Sequence, residues 1–431
     1  MSGKTITPQL QRELGVLGAT MMGLGSIIGT GVFVSIGIAA GIAGPAVIVA
    51  VALAAFVATC NGLNSAQLAA NHAVSGGTYE YGYKYLNPWF GFTAGWMFLL
   101  AKTASAATAA LGFASYLLTT TNLMQRGLLV PTALFAVVVF TAIVLTGIRR
   151  SNLVNIIIVS VTLLSLSLFV IVCLPRAVTV GAENLTPFFS GNAASVLHAT
   201  ALMFVAYTGY GRIATMGEEA KEPRKTIPRA MIVCLLLTMV LYITVAAVGI
   251  GAVGAGVLGN VTQQAQAAPL EVAIRNVAGP AAGLVVAIGA MTAMLGVLLN
   301  LILGLSRVVL AMGRRRDLPG LFARLNHSGS TPVLAVLVVG VAIAALVMIG
   351  DVKTTWSFSA FNVLIYYAIT NFAALQLSPE ERLYPKWIGW VGLASCAFLA
   401  FWVEQQIWLV GLALIVAGLI WRTAVQLLTR D

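Results

Sequence analysis

Charge is what this chain has least of. Asp, Glu, Lys and Arg make up 9% of its 431 residues, where a soluble domain carries about 25%. With 59% hydrophobic residues it has too little polar surface to face water, which excludes a soluble protein and predicts a polytopic membrane protein. Cysteine is scarce as well. Cys60, Cys173, Cys234 and Cys396 fall in or beside apolar stretches and read as small packing residues, not as a disulfide or metal set. His72, His198 and His327 are far apart in sequence and lack ligand spacing, so no metal is expected. Paired aspartates, His-Glu-x-x-His and Gly-x-Ser-x-Gly are missing too, which argues against an enzyme. No cofactor is expected.

What the chain does have is apolar length. About 20 apolar residues cross a bilayer, and twelve such stretches are predicted: 14–39, 45–70, 89–118, 129–147, 153–175, 193–217, 229–256, 280–312, 332–350, 355–377, 387–403 and 406–424. Residues 1–13 are polar and no small-residue cleavage site follows the first stretch, so no cleavable signal is expected. With the N-terminus inside, nineteen Lys and Arg residues fall in cytoplasmic segments; only Arg126, Arg176, Arg275 and Lys353 fall outside. That bias places both termini in the cytoplasm. It also explains the net charge of +11 by insertion into a membrane, and no nucleic-acid partner is inferred. The run Gly313-Arg314-Arg315-Arg316-Asp317 reads as a topology anchor with anionic-lipid contact as a second role. Trp387, Trp390, Trp402, Trp408 and Trp421 near stretch ends suit an interfacial belt.

Two places disturb this pattern. Residues 25–33 read Gly-Ser-Ile-Ile-Gly-Thr-Gly-Val-Phe, three glycines in seven residues inside the first stretch. Unwound backbone in lipid costs several kcal/mol for each unpaired group. It survives where it lines a cavity and a substrate completes the hydrogen bonds. Gly25 and Gly29 also satisfy Gly-x-x-x-Gly, a generic helix-packing pattern. A second weak point lies in the sixth stretch, at Phe204-Val205-Ala206-Tyr207-Thr208-Gly209-Tyr210-Gly211. It comes five stretches after the first and runs in the opposite direction. That spacing is expected of an inverted repeat of five helices and favours binding over packing.

The two segments together resemble the amino acid–polyamine–organocation transporter superfamily. The most specific likeness runs from Phe204 through Ala230. The path from Ser306-Arg307 to Asp317-Leu318-Pro319 and Thr331-Pro332-Val333 is similar as well, in family order. The resemblance implies an all-α integral membrane protein of the leucine-transporter type, with twelve transmembrane helices. A first repeat would occupy 1–175, with helix 1 broken near 27–31. A second would occupy 193–377, with helix 6 broken near 205–209, and helices 11 and 12 with a cytoplasmic tail would follow over 387–431.

An amino-acid zwitterion suits such breaks. A half-helix resuming near Gly29, Thr30 and Gly31 offers N–H groups, a positive dipole end and a hydroxyl to the carboxylate. By resemblance, carbonyls of Ile27, Val205 and Thr208 receive the ammonium, and Tyr207 is an aromatic lid. Tyr210 reads as either packing or binding. Cationic-substrate carriers of the family often have an acid where Gly211 stands here. No Asp or Glu occupies the middle of any stretch, since Glu218 and Glu219 lie at the end of the sixth. A neutral substrate is expected.

Lys102, in the middle of the third stretch, costs about 2.5–3.5 kcal/mol at that depth, so a functional role is the default. Sodium-independent relatives carry a lysine in helix 5 in place of a bound sodium. Here that position falls at Thr162, with no lysine anywhere in 153–175 and only Thr292 as a hydroxyl between 281 and 305. Lys102 is therefore expected to supply the missing cation from helix 3 and to carry the coupled proton; a snorkelling or structurally paired lysine is the alternative. His198 reads as a packing residue. The sequence thus predicts a secondary transporter of L-amino acids in the plasma (inner) membrane, coupled to protons or to exchange. Carriage of acidic amino acids or amines is an alternative, as is a non-transporting sensor. The oligomeric state is left open.

Overall fold

A computed structural model describes residues 14–74, 76–123, 127–147, 152–215, 220–263, 267–326 and 331–428. Lys4, Arg12, Arg126, Arg149, Arg150, Glu218, Glu219, His327 and Arg430 lie outside the described residues. Among those described, the chain is helical throughout, with one isolated bridge between Leu14 and Ala220.

The first helical path is α1 (Val16–Ile27), a π-helical turn over Gly31–Ser35, and α2 (Ile36–Ala43). It is followed by α3 (Val47–Asn71), the short α4 (Thr78–Tyr81), α5 (Pro88–Thr120), α6 (Leu129–Leu145) and α7 (Asn152–Asn184). The next path is α8 (Ala193–Tyr207), a 3₁₀ turn over Thr208–Tyr210, and α9 (Gly211–Ala214). Then come α10 (Pro223–Val253), α11 (Ala255–Gln263), α12 (Pro269–Ala278) and α13 (Pro280–Arg314). The chain ends with α14 (Val333–Val347), α15 (Val352–Leu375), α16 (Lys386–Leu399) and α17 (Gln405–Leu428). Among the described residues, seven helical stretches are long and apolar enough to cross a membrane, and four further apolar helices are shorter.

Burial sorts these helices into an inside and an outside. The most apolar windows of α5 and α15 are 78% buried, against 33% in α7 and 17% in α17. The inner position of α5 follows from its side chains. Ala101, Ala104, Ala106, Ala107, Ala109, Ala110 and Ala114 are fully buried, and small residues let helix backbones approach closely where lipid gives no hydrophobic drive. Three of the helices begin at a side chain that caps them. Asn87 accepts from Trp89 N at 2.9 Å ahead of α5, Asn192 from Ser195 N at 3.0 Å ahead of α8, and Asp351 from Thr354 N at 2.8 Å ahead of α15. Polar residues on α3 are paired across to α15. Asn64 donates to Asn371 Oδ1 at 2.7 Å, and Asn371 donates to Asn61 Oδ1 at 2.6 Å.

One stretch is longer than the sequence predicts, and two connections between stretches carry helices of their own. The fifth helix does not stop at 175 but continues through Pro175 to Asn184. The connection over 257–279 is partly helical. It holds α12, where Leu270, Ala273 and Ile274 are buried at helical spacing and Glu271 meets Arg275 at 3.3 Å. Burial raises the Glu271 pKa, and the Arg275 guanidinium pulls it partway back. The segment 71–88 contains α4 and a π turn over Gly82–Leu86. The four cysteines are buried and unbridged.

Those turns near α4 are pinned by Asp317, just beyond α13. Its buried carboxylate accepts from Tyr79 and Tyr83, each at 2.7 Å, and Arg315 lies 4.1 Å from the Tyr83 ring centroid. Asp317→Ala is expected to leave both hydroxyls without their acceptor, at about 1–3 kcal/mol each. The thermal midpoint in detergent should fall by several degrees, and Asp317→Asn, which keeps an acceptor, should fall less. Equal midpoints for the alanine variant and the parent would exclude this anchoring role.

Candidate binding site between two interrupted helices

The first interruption is an unwinding. Ile28 has φ −78° and ψ 108°, so α1 stops there, with Ile28 N as the last donor, to Leu24 O at 2.8 Å. When the helix resumes, Val32 N and Phe33 N both turn back to Gly29 O at 3.2 Å, and the next turn is π-helical. The first N–H groups of a resumed helix have no carbonyl one turn behind them. They carry the positive end of its dipole.

The second interruption is a tightening. Thr208 stays in the right-handed region at φ −70° and ψ 0°, and the 3₁₀ turn leads into α9 with no extended residue. The two interruptions touch through their glycines. A Cβ on Gly209 would meet the Ser26 carbonyl and stand 2.5 Å from Ile27 N; one on Gly31 would stand 2.6 Å from Ala206 Cβ and 2.8 Å from its Cα. Only hydrogen in place of a side chain permits this contact of backbones. The other glycines serve packing. A Cβ on Gly25 would strike the Asn155 amide oxygen of α7, and one on Gly29 would lie 2.7 Å from Val297 Cγ2 of α13.

A cavity of about 40 Å³ lies at this contact. The first interruption lines it with Ser26, Ile27, Thr30 and Gly31, the second with Val205, Ala206, Thr208 and Gly209. Lys102 and Ser105 of α5, Val297 and Leu301 of α13, and Trp356 of α15 complete the wall. Lys102 Nζ donates to Thr208 Oγ1 at 3.0 Å, and that hydroxyl donates in turn to Val205 O at 2.8 Å. Thr30 Oγ1 is buried and has no hydrogen-bond partner among the described residues. The cavity therefore presents an ammonium, a hydroxyl awaiting a partner and a helix N-terminus on one side, with Val205, Val297, Leu301 and Trp356 as its apolar wall. No carboxylate is among the lining residues. Such a chamber suits a small polar molecule bearing an anionic group.

The sequence-predicted residues divide accordingly. Ile27, Thr30, Gly31, Val205, Thr208 and Lys102 come together around the cavity, whereas Gly29, Tyr207 and Thr162 do not line it. Tyr207 points the other way, its hydroxyl 3.3 Å from Val51 O of α3 and its ring 5.0 Å from that of Tyr242. Thr162 is turned into α7, donating to Ile158 O at 2.7 Å. Tyr210 packs on Tyr367 at 5.2 Å, and a Cβ on Gly211 would stand 3.0 Å from the Tyr367 hydroxyl. His198 lies 3.4 Å from Glu404, which also meets Lys353 at 3.1 Å.

Three tyrosines escaped the sequence reading. Tyr242 of α10 donates to Ile27 O at 2.9 Å and lies 3.4 Å from Ala206 O, so one hydroxyl touches both interruptions. Tyr367 donates to Thr208 O at 3.2 Å and Tyr116 to Phe33 O at 2.7 Å. The available signal was that a tyrosine deep in an apolar helix needs an acceptor, and interrupted helices are where spare carbonyls occur. Tyr242→Phe is expected to remove the donor to Ile27 O, at about 1 kcal/mol, and to slow solute handling several-fold while the protein still folds. Unchanged kinetics would show that the hydroxyl is dispensable.

The sequence model of the amino acid permease family matches residues 18–429. An uncharacterized transporter of Mycobacterium tuberculosis is 38% identical over 402 residues, covering 92% of this chain and 88% of the relative. A branched-chain amino acid permease of Bacillus subtilis is 28% identical over 396 residues, covering 88% and 83%. A cationic amino acid transporter of Mus musculus is 30% identical over 398 residues, covering 87% of this chain but 61% of the relative.

Proposed function

The chain belongs to the amino acid permease family, and from that premise we propose that it is a secondary active transporter of neutral L-amino acids. It works by alternating access in the plasma (inner) membrane, with both termini cytoplasmic. Twelve crossings arranged as two inverted repeats of five, over 1–175 and 193–377, with two further helices, are part of this reading. The contact between the first and sixth crossings supports it, because inverted repeats bring their interrupted helices together at the midplane.

One observation carries the proposal: the cavity between the interruptions holds the buried Thr30 hydroxyl, which has no hydrogen-bond partner among the described residues. A carboxylate placed there accepts from Thr30 and from the N–H groups of the resumed helix. The ammonium is received at the Ile27, Val205 and Thr208 carbonyls: Ile27 O accepts from Tyr242 and keeps a second lone pair, whereas Val205 O and Thr208 O each already accept two bonds within the chain and would share them. Lys102 supplies the fixed or proton-dependent positive charge in place of a sodium ion, and coupling is to protons or to exchange. Tyr207 acts from behind the second interruption, through Tyr242, and not as a direct cover.

Uptake of labelled amino acids into proteoliposomes, with competition by the full set of amino acids, tests this reading. Saturable uptake of a neutral amino acid without sodium is expected, with counterflow from preloaded vesicles. Binding without counterflow would instead make the protein a sensor. A second reading, an acidic amino acid as substrate, is favoured by the Lys102 ammonium in a cavity with no lining carboxylate. Strong competition by aspartate or glutamate would select it.

A further inference from the structure

The apolar wall of the cavity is held by one rigid side chain. Trp356, at 3% exposure, donates its indole N–H to Leu202 O at 3.0 Å, so α8 fixes the ring of α15 just before the second interruption. Swinging the ring aside would leave the indole N–H unpaired in an apolar interior. Beside it, Ser359 and Ser105 share a hydrogen bond at 2.8 Å that ties α15 to α5, and Val297 and Leu301 complete the apolar wall from α13.

The room is small. About 40 Å³ corresponds to about three water positions, at 10–15 Å³ each. Trp356, Val297 and Leu301 crowd this room from its apolar wall. We infer that Trp356 is the specificity-determining residue, limiting side-chain size so that the site favours amino acids with small side chains, such as alanine, over large ones such as leucine. This inference rests on the transport reading above, because it takes the cavity to be the substrate site. The limit comes from Trp356 more than from Val297 or Leu301, because a valine or leucine has alternative rotamers while the indole is anchored at its nitrogen.

The test uses the full chain in proteoliposomes, reading competition of labelled alanine uptake by glycine, serine, valine, leucine and phenylalanine. In the parent protein leucine should need at least tenfold more than alanine for half-inhibition. Trp356→Ala should shrink that ratio at least tenfold, and Trp356→Phe should fall between. Val297→Ala enlarges the chamber without breaking a hydrogen bond. It should move the ratio the same way and keeps the test decisive if Trp356→Ala does not fold. Leucine competing as well as alanine in the parent would overturn the inference. So would an unchanged ratio in Trp356→Phe while that variant still transports, whatever Val297→Ala does. Absence of any amino-acid uptake or binding by the parent would instead overturn the transport reading, and the size limit with it.

Discussion

Lys102→Met is expected to reduce amino-acid uptake about a hundredfold while leaving the protein as stable as the parent, or more so. The two effects separate because lysine at this depth is a folding cost of about 2.5–3.5 kcal/mol, which methionine removes at similar length. A purely structural lysine would show the reverse pattern, since losing its bond to Thr208 Oγ1 at 3.0 Å would destabilise the second interruption with little direct effect on turnover. Lys102→Arg discriminates further. The guanidinium keeps the charge but does not release a proton in proteins, so substrate affinity should survive within a few-fold. The pH dependence of uptake should flatten. Uptake and thermal midpoints at several pH values decide the matter. Unchanged uptake and pH dependence in both variants would confine Lys102 to structure, and a sodium requirement in the parent would refute the surrogate-cation role.

Gly209→Ala is the second change with a large expected effect. Its Cβ would meet the Ser26 carbonyl and stand 2.5 Å from Ile27 N, and these are backbone atoms that no rotamer change can move. Overpacking typically costs about 1–3 kcal/mol. Here the strain falls on the contact that holds the two interruptions together. Uptake should fall by at least tenfold, with a lower thermal midpoint. Gly31→Ala, facing Ala206 Cα at 2.8 Å, should behave alike. The control is Gly304→Ala in α13, where an added Cβ meets nothing within 4 Å. Alanine in a helix interior is favoured over glycine by up to about 1 kcal/mol, so this variant should match or exceed the parent in stability. If all three variants matched the parent, the backbone contact would have no bearing on activity.

The positions of the interruptions were legible because glycine density within an apolar helix is a local signal. Their geometries were not. Residues 25–33 unwind at Ile28, whereas Thr208–Tyr210 only tighten into a 3₁₀ turn, and the two sequences do not distinguish those outcomes. Tyr207 is instructive in another way. Its neighbours Ala206 and Thr208 line the cavity, yet one helical step, about 100°, turns the ring to α3 and Tyr242. Helix rotation is set by packing partners, so neither composition nor motif spacing reveals it.

By itself the sequence determined that the chain belongs in a membrane, where its first and sixth apolar stretches are weak, and that one lysine lies deep in the third. Each follows from hydropathy and local residue type, which act within a few residues. Only the tertiary structure decided that Lys102 meets Thr208, 106 positions away, that Tyr242 touches both interruptions, and that Trp356 closes the apolar wall. Those pairings depend on how helices rotate and cross, and that is settled by the sum of many weak contacts between distant segments.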